Sequence, residues 1–382
     1  LISPSVFGAV VWTGKDLVPL PEGFFYGLPS SPGAAWQAKI LTGRGRLRAM
    51  GELLATRRLR GPDISVAAFV RRRFGREVLE RVVDPLLAGT RAGQVESMSL
   101  AAALPHVDSL ARRYRSLMTA LRKEENLGRD HLDAPPFKSL RSGMETLVAG
   151  LARAIKGRTE IITGRAVENL SASPGGLSVE VSAGRALRAD GAVLAVPAFA
   201  AARMLRRAEE EAARLLSGIA HASVASVVLS YDRGSLPLPP ETSGFLVASR
   251  AESTIAAGSW WSQKWARTVT SDGEIVRCFV GRADRHPALD LTDEDLVTRA
   301  TTDLATILEV DASPRRSSVT RWDRALPQYE VGHLERVARI EKQIRTLGPV
   351  EVAGAGYRGS GIPDCVAQGR RAASNLRTRL ES

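Results

Sequence analysis

Cysteine, histidine, lysine and aromatic side chains are all scarce in this chain of 382 residues. Two cysteines, Cys278 and Cys365, are too few for a disulfide scaffold or a cysteine-based zinc site and suit a reducing compartment. The five histidines, His106, His131, His221, His286 and His333, form no His-x-x-x-His or other paired metal spacing, so no metal is expected. No G-x-S-x-G elbow is present, and no side chain stands out as a catalytic acid, base or nucleophile. No apolar run reaches the ~18 residues of a membrane span. The longest candidate, 191–205, is interrupted by Pro197 and Arg203. There is no signal-peptide pattern, internal repeat or low-complexity segment. Basic clusters interleaved with aromatics are absent, as are finger spacings, which argues against nucleic acid as a partner.

What remains is ordinary globular composition, 44% hydrophobic and 25% charged, with a length that predicts two or three domains. The formal net charge is +12, carried by 46 arginines and only seven lysines. Clusters stand at Arg57-Arg58, Arg71-Arg72-Arg73 and Arg112-Arg113. A basic face suits an anionic lipid or a polycarboxylate substrate. The base composition of the genome is the plainer explanation of the arginine excess.

Along the chain, residues 7–12 read as a strand and 17–20 as a second. Residues 32–125 read as helical. Ser65 caps a helix over 66–74 ended by Gly75, a further helix from Arg76 is interrupted at Pro85, and Ser99 caps another. A helix over 144–156 carries Leu147, Leu151 and Ile155 at i, i+4 and i+8. Strands are expected at 160–163, 166–170, 177–181 and 192–196, a helix after Pro197, then strands at 223–230, 244–247, 254–260, 275–280 and 319–322. Thr292-x-x-Asp295 reads as a capping box, and 334–347 as a helix.

Residues 350–359, VEVAGAGYRG, are a strand running into G-x-G-x-x-G, formally a dinucleotide fingerprint. Only one helix fits between this loop and Ser382, so it cannot open a complete βαβ nucleotide-binding unit. A helix N-terminus beginning near Asp364 still offers free N–H groups and positive potential, which favours the negative edge of a reduced flavin. An ordinary glycine-rich helix cap is the alternative.

Four collinear stretches then carry a resemblance: 350–371 (VEVAGAGYRGSGIPDCVAQGRR), 319–336 (VTRWDRALPQYEVGHLER), 82–100 (VVDPLLAGTRAGQVESMSL) and 140–151 (LRSGMETLVAGL). The chain resembles the flavin-dependent porphyrinogen oxidases of haem biosynthesis. The version Gly361-Ile362-Pro363-Asp364-Cys365 looks most like the bacterial branch that acts on coproporphyrinogen III. The resemblance implies an α/β plus α+β fold: a partial Rossmann-like FAD domain whose first βαβ is missing, a mixed-sheet substrate domain, and a helical, membrane-facing subdomain. Its segments are 1–30 and 126–140 (substrate domain), 31–125 (helical), 141–205 (FAD), 206–320 (substrate) and 321–382 (C-terminal FAD segment). The family's strand–G-x-G-x-x-G–helix has no counterpart here, so Leu1 is expected to follow it in an N-terminally truncated chain.

By the same resemblance Ser360, Gly361 and Ile362 contact FAD, Gly354, Gly356 and Gly359 shape the loop, and Asp364 caps the last helix. Val167 meets the adenine through its backbone, and Trp322 is an aromatic FAD contact. Without the resemblance, Val167 reads as an ordinary strand residue of the core, and Trp322 as a packed core tryptophan or a ligand contact. Phe245, Leu246, Met98 and Met144 are candidate apolar walls for a flat macrocycle, and Arg91 and Arg141 candidate anchors for its carboxylates. His333 is expected to make a structural hydrogen bond. The implied reaction is FAD-dependent oxidation of coproporphyrinogen III, with O2 as acceptor and H2O2 as product. Protoporphyrinogen IX oxidation and non-catalytic porphyrin binding are the alternatives. A ferrochelatase is the implied recipient of product, the compartment cytoplasmic, with or without a peripheral contact at the inner face of a membrane.

Overall fold

The computed structural model describes residues 1–54, 57–127, 138–182, 184–265, 273–283 and 287–381. His131, His286 and most of the 126–140 segment lie outside them. The described chain forms two compact units. The first comprises Leu1–Ser97, His106–Arg158 and Ala222–Arg324; the second comprises Met98–Pro105, Thr159–His221 and Ala325–Ser382.

The first unit is built on a mixed seven-stranded sheet. In spatial order its strands are Arg316–Pro327, His221–Asp232, Gly273–Val280, Ile255–Trp260, Thr242–Val247, Gly8–Trp12 and Leu17–Pro19. Gly8–Trp12 and Thr242–Val247 run parallel, and their outer neighbours antiparallel. Alternation sets the buried face. Ala225, Val227, Leu229 and Tyr231 on one strand and Val276, Cys278 and Val280 on the next enter one core, as period-two spacing requires. The helix Asp293–Leu308 covers that core with Leu296, Ala300, Leu304, Ile307 and Leu308. Its start follows the expected cap: Thr292 Oγ1 accepts from Asp295 N at 3.1 Å. Burial pushes the Cys278 thiol up to about 12, with Asp303 adding to it, so this cysteine is a core residue and not a nucleophile.

Short helices fill most of 32–127. Ser65 caps Val66–Arg73 through Ala68 N at 3.1 Å, as its position predicts. The expected break at Pro85 does not occur. The helical path continues from Arg76–Val78 through a π-turn, Leu79–Val83, into Asp84–Arg91. A proline ring clashes with the carbonyl four residues back, here Arg81, and the wider π-turn contains that residue. The expected strand at 160–163 is absent as well. The helix over 144–156 forms as Glu145–Ile155 but buries none of its residues within this unit: Val148 is 68% and Leu151 58% exposed.

The second unit pairs Val350–Val352 parallel with Ala192–Leu194. Beside them stands an antiparallel meander, Val167–Ser173, Gly176–Val181 and Arg185–Ala189. Helices Ala198–Leu205, Glu210–Ser217 and His333–Ile344 contribute Leu205, Leu216, Val337, Ile340 and Ile344 to its core. No described helix is long and apolar enough to cross a membrane.

Candidate functional site

The glycine loop leaves the buried strand Val350–Val352 and ends at the 20-residue helix Ile362–Glu381. The strand is unusual in carrying a buried carboxylate, Glu351, 4% exposed. Arg345 at 3.6 Å and Arg379 at 3.7 Å flank it, and Asn375 Nδ2 donates to it at 3.4 Å. A buried charge is tolerated only when so compensated, and the compensation ties the strand to the final helix.

The loop is fastened from beneath at successive residues. The Tyr329 hydroxyl donates to the Ala355 carbonyl at 2.5 Å and accepts from Gly359 N at 3.1 Å. The His333 ring stacks under Tyr329 with centroids 4.2 Å apart. His333 Nε2 lies 2.8 Å from the Tyr357 carbonyl; a carbonyl only accepts, so the proton is on Nε2. This is the structural bond expected of His333. Gln368, 3% exposed, accepts from Arg358 N at 3.3 Å and donates to the Gly359 carbonyl at 3.1 Å. Arg358 itself forks onto Glu341 at 2.9 and 2.7 Å.

Burial alone would raise the Glu341 carboxyl. Hydrogen bonding to Arg358, with the charges of Arg358, Arg371 and Arg345, overcomes that and leaves it below the ordinary value of 4.5. A depressed folded-state pKa adds stability above the unfolded value, and that stability is lost as pH falls through the folded one. The loop is therefore expected to loosen below about pH 4.5. Hydrogen exchange at Arg358 and Gly359 between pH 6 and pH 3 checks this, and Glu341→Gln should flatten the dependence.

With its underside fixed, the crest of the loop faces outward: Ser360, Gly361 and Ile362 are exposed. Gly361 N donates to Asp364 Oδ2 at 3.2 Å, the reciprocal half of a capping box. Pro363 has no N–H, so the amides of Ile362 and Asp364 are the donors that the first turn leaves without intrahelical acceptors. Gly359 has φ +106°, and a Cβ there would lie 2.5 Å from Asp364 Oδ2; only glycine fits beneath the cap. Gly354, at φ +127°, has nothing within 4 Å of an added Cβ, so one side of the loop is open space. A rigid loop, open on one side and presenting amide donors at a long helix's N-terminus, fits the negative edge of a flavin.

In the second unit, Val167 opens its strand opposite Val181, half-buried. Gly356 is buried, and Met98, 4% exposed, bridges to Glu330 through its backbone. In the first unit, Trp322 lies on Arg316–Pro327 and is 49% exposed. Phe245 is 1% exposed and stacks on Trp260, centroids 4.8 Å apart, over Gly258. Leu246, on the opposite face of the same strand, packs toward Gly89. Met144 and Arg141 are exposed and Arg91 is half-buried. Residue-by-residue reading missed Tyr329, Gln368, Glu341 and Arg358. Tyr329 and His333 do share one matched stretch, four residues apart, the one spacing that hinted at a common task.

The model of the family "Flavin containing amine oxidoreductase" matches residues 5–377. The coproporphyrinogen III oxidase of Bacillus subtilis (strain 168) is 31% identical over 387 residues, spanning all of this chain and 82% of its own length. That of Mycobacterium bovis is 32% identical, spanning 98% of this chain and 79% of its own. A solved structure from Exiguobacterium sp. 255-15, assigned as a protoporphyrinogen oxidase, superposes with a TM-score of 0.84 at 28% identity, over all of this chain and 82% of that one.

Proposed function

The chain belongs to the flavin-containing amine oxidoreductase family, on its porphyrinogen-oxidase branch, and from that premise we propose that it oxidises coproporphyrinogen III to coproporphyrin III. It is an FAD-dependent oxidoreductase with the mixed sheet-and-helix fold of that family. The observation that carries the substrate is the likeness, over the whole chain, to relatives bearing that one activity in their names. When bound, FAD supplies the two-electron acceptor for a hydride from a bridging carbon. The crest at Ser360, Gly361 and Ile362 contacts the flavin's negative edge, with the Ile362 amide among the free donors, Val167 meets the adenine through its backbone, and Trp322 supplies an aromatic contact.

No general acid or base is assigned, because the chain's task is to position the macrocycle and exclude water. Arg91 and Arg141 take its carboxylates, and Met98, Met144 and Leu246 supply apolar contact, with Phe245 supporting its strand. Each porphyrinogen loses six hydrogens, and three O2 leave as three H2O2. The proposal includes a cytoplasmic site of action, peripheral contact with a membrane surface and passage of product to a ferrochelatase.

The FAD-loaded chain is expected to generate porphyrin fluorescence from coproporphyrinogen III, faster than from protoporphyrinogen IX, with peroxide released in step. No turnover of either would sink the proposal. Protoporphyrinogen IX is the second reading, favoured by the Exiguobacterium structure; a rate ratio in its favour would select it.

A further inference from the structure

The first unit holds a cavity of about 990 Å³ far richer in arginine than anything the flavin loop requires. It is bordered by the helix Val66–Arg73, the turn Gly51–Leu54 and residues 57–60. Seven of its thirteen lining residues are arginines, and the single carboxylate among them is Glu52.

That carboxylate is already consumed. Glu52 is 1% exposed. It accepts from Leu117 N at 2.7 Å, Met118 N at 3.1 Å and Ser116 Oγ at 2.8 Å, at the start of the helix Leu117–Leu127. Arg73 stands 3.3 Å away. Two of the seven arginines are likewise structural. Arg73 donates to the carbonyls of Arg115 at 2.6 Å and Arg57 at 2.7 Å. Arg48 donates to those of Arg73 at 3.0 Å and Arg72 at 2.6 Å, closing the C-terminus of Val66–Arg73.

These bonds fix the backbone of Arg57, Arg72 and Arg115 and leave their side chains unengaged. With Arg58 and Arg60 they make five guanidinium groups around one cavity, none paired with a carboxylate among the described residues. Like charges gathered without counter-charge repel one another. Burial lowers the Arg73 pKa, and the neighbouring charge of Arg72 lowers it further against the pull of Glu52. Guanidinium forks match phosphate oxygens. The apolar lining consists of Leu54, Leu59, Ile64 and Phe69, the last only 1% exposed, too little flat wall for a macrocycle.

We propose that this cavity binds a ligand bearing several clustered phosphate groups, either a soluble polyphosphate or the multiply phosphorylated headgroup of a lipid. It is independent of the flavin loop and of the reading of the substrate. Binding neutralises the five arginines together and stabilises the first unit by mass action.

The test uses the full chain loaded with FAD and sodium tripolyphosphate as probe, followed by calorimetry and thermal shift. One saturable site is expected. Arg58→Gln with Arg60→Gln should weaken it about tenfold or more, as the loss of charge-assisted bonds requires. Arg206→Gln with Arg207→Gln, an exposed pair in the second unit, should leave it within about twofold, the range set by screened long-range charge. Retention on phosphatidylcholine vesicles doped with a phosphoinositide, lost in the cavity variant, assigns the lipid source. Saturation by tripolyphosphate without retention assigns the soluble one. Three results would overturn the proposal: no saturation by either probe, equal weakening by both arginine pairs, or displacement of tripolyphosphate by coproporphyrin III.

Discussion

Gly359→Val is expected to strip the flavin from the protein while leaving it folded. The residue occupies φ +106°, and its Cβ would stand 2.5, 2.6 and 2.8 Å from Oδ2, Cγ and Cβ of Asp364. A β-branched side chain at positive φ costs about 1–2 kcal/mol. Moving Asp364 aside to relieve the overlap releases Gly361 N, a cap worth about 1 kcal/mol. The least costly relief is a shift of the crest, 360–362, because Ala355, Tyr357, Arg358 and Gly359 are held from below by Tyr329, His333 and Gln368. About 2–3 kcal/mol of bias against the binding geometry weakens FAD about 30- to 150-fold. Flavin absorbance per protein after gel filtration, and a titration of apoprotein with FAD, read it directly. An unchanged FAD affinity alongside a lowered melting temperature would show that this loop does not hold the cofactor.

The second large effect is on stability. Glu52→Ala removes one side chain, takes the carboxylate acceptor from two buried amides and a serine hydroxyl, and leaves the Arg73 guanidinium bonded to carbonyls but without its counter-charge. Breaking a buried, hydrogen-bonded ion pair from one side costs about 3–5 kcal/mol. Its sequence distance adds to the consequence, since Glu52 joins segments 65 residues apart. We expect the melting temperature of the first unit to fall by about 10 °C. A loss under about 1 kcal/mol in chemical denaturation, no more than an exposed pair is worth, would mean that water replaces the carboxylate and that the helix Leu117–Leu127 does not depend on it. Flavin content separates the two variants: Glu52→Ala should bind FAD normally below its melting temperature.

Both predictions concern bonds of different reach, and reach is what divided the legible from the illegible. The caps at Ser65 and Thr292 depend on residues three positions away, and period-two burial on immediate neighbours, so both were readable along the chain. The glycine loop was readable too, because strand, glycines and helix are contiguous. Arg185–Ala189 was missed because RALRA carries no β-branched or aromatic residue; it is a strand because Gly176–Val181 offers it an edge. The helix at 145–155 was correctly placed, but its apolar stripe said nothing about what it packs against, and none of its residues is buried.

The sequence by itself thus determined the local elements, the cofactor-type loop and, through four collinear motifs, the family. Tertiary structure alone decided what holds that loop rigid and how charge is distributed. Tyr329 reaches Gly359 across 30 residues, and Arg73 reaches Arg115 across 42. Such pairings depend on chain segments meeting in space, and no spacing in the sequence encodes them. The same folding spent Glu52 on a helix start and left five arginines facing one cavity. From composition alone those arginines were indistinguishable from the other basic residues of an arginine-rich chain.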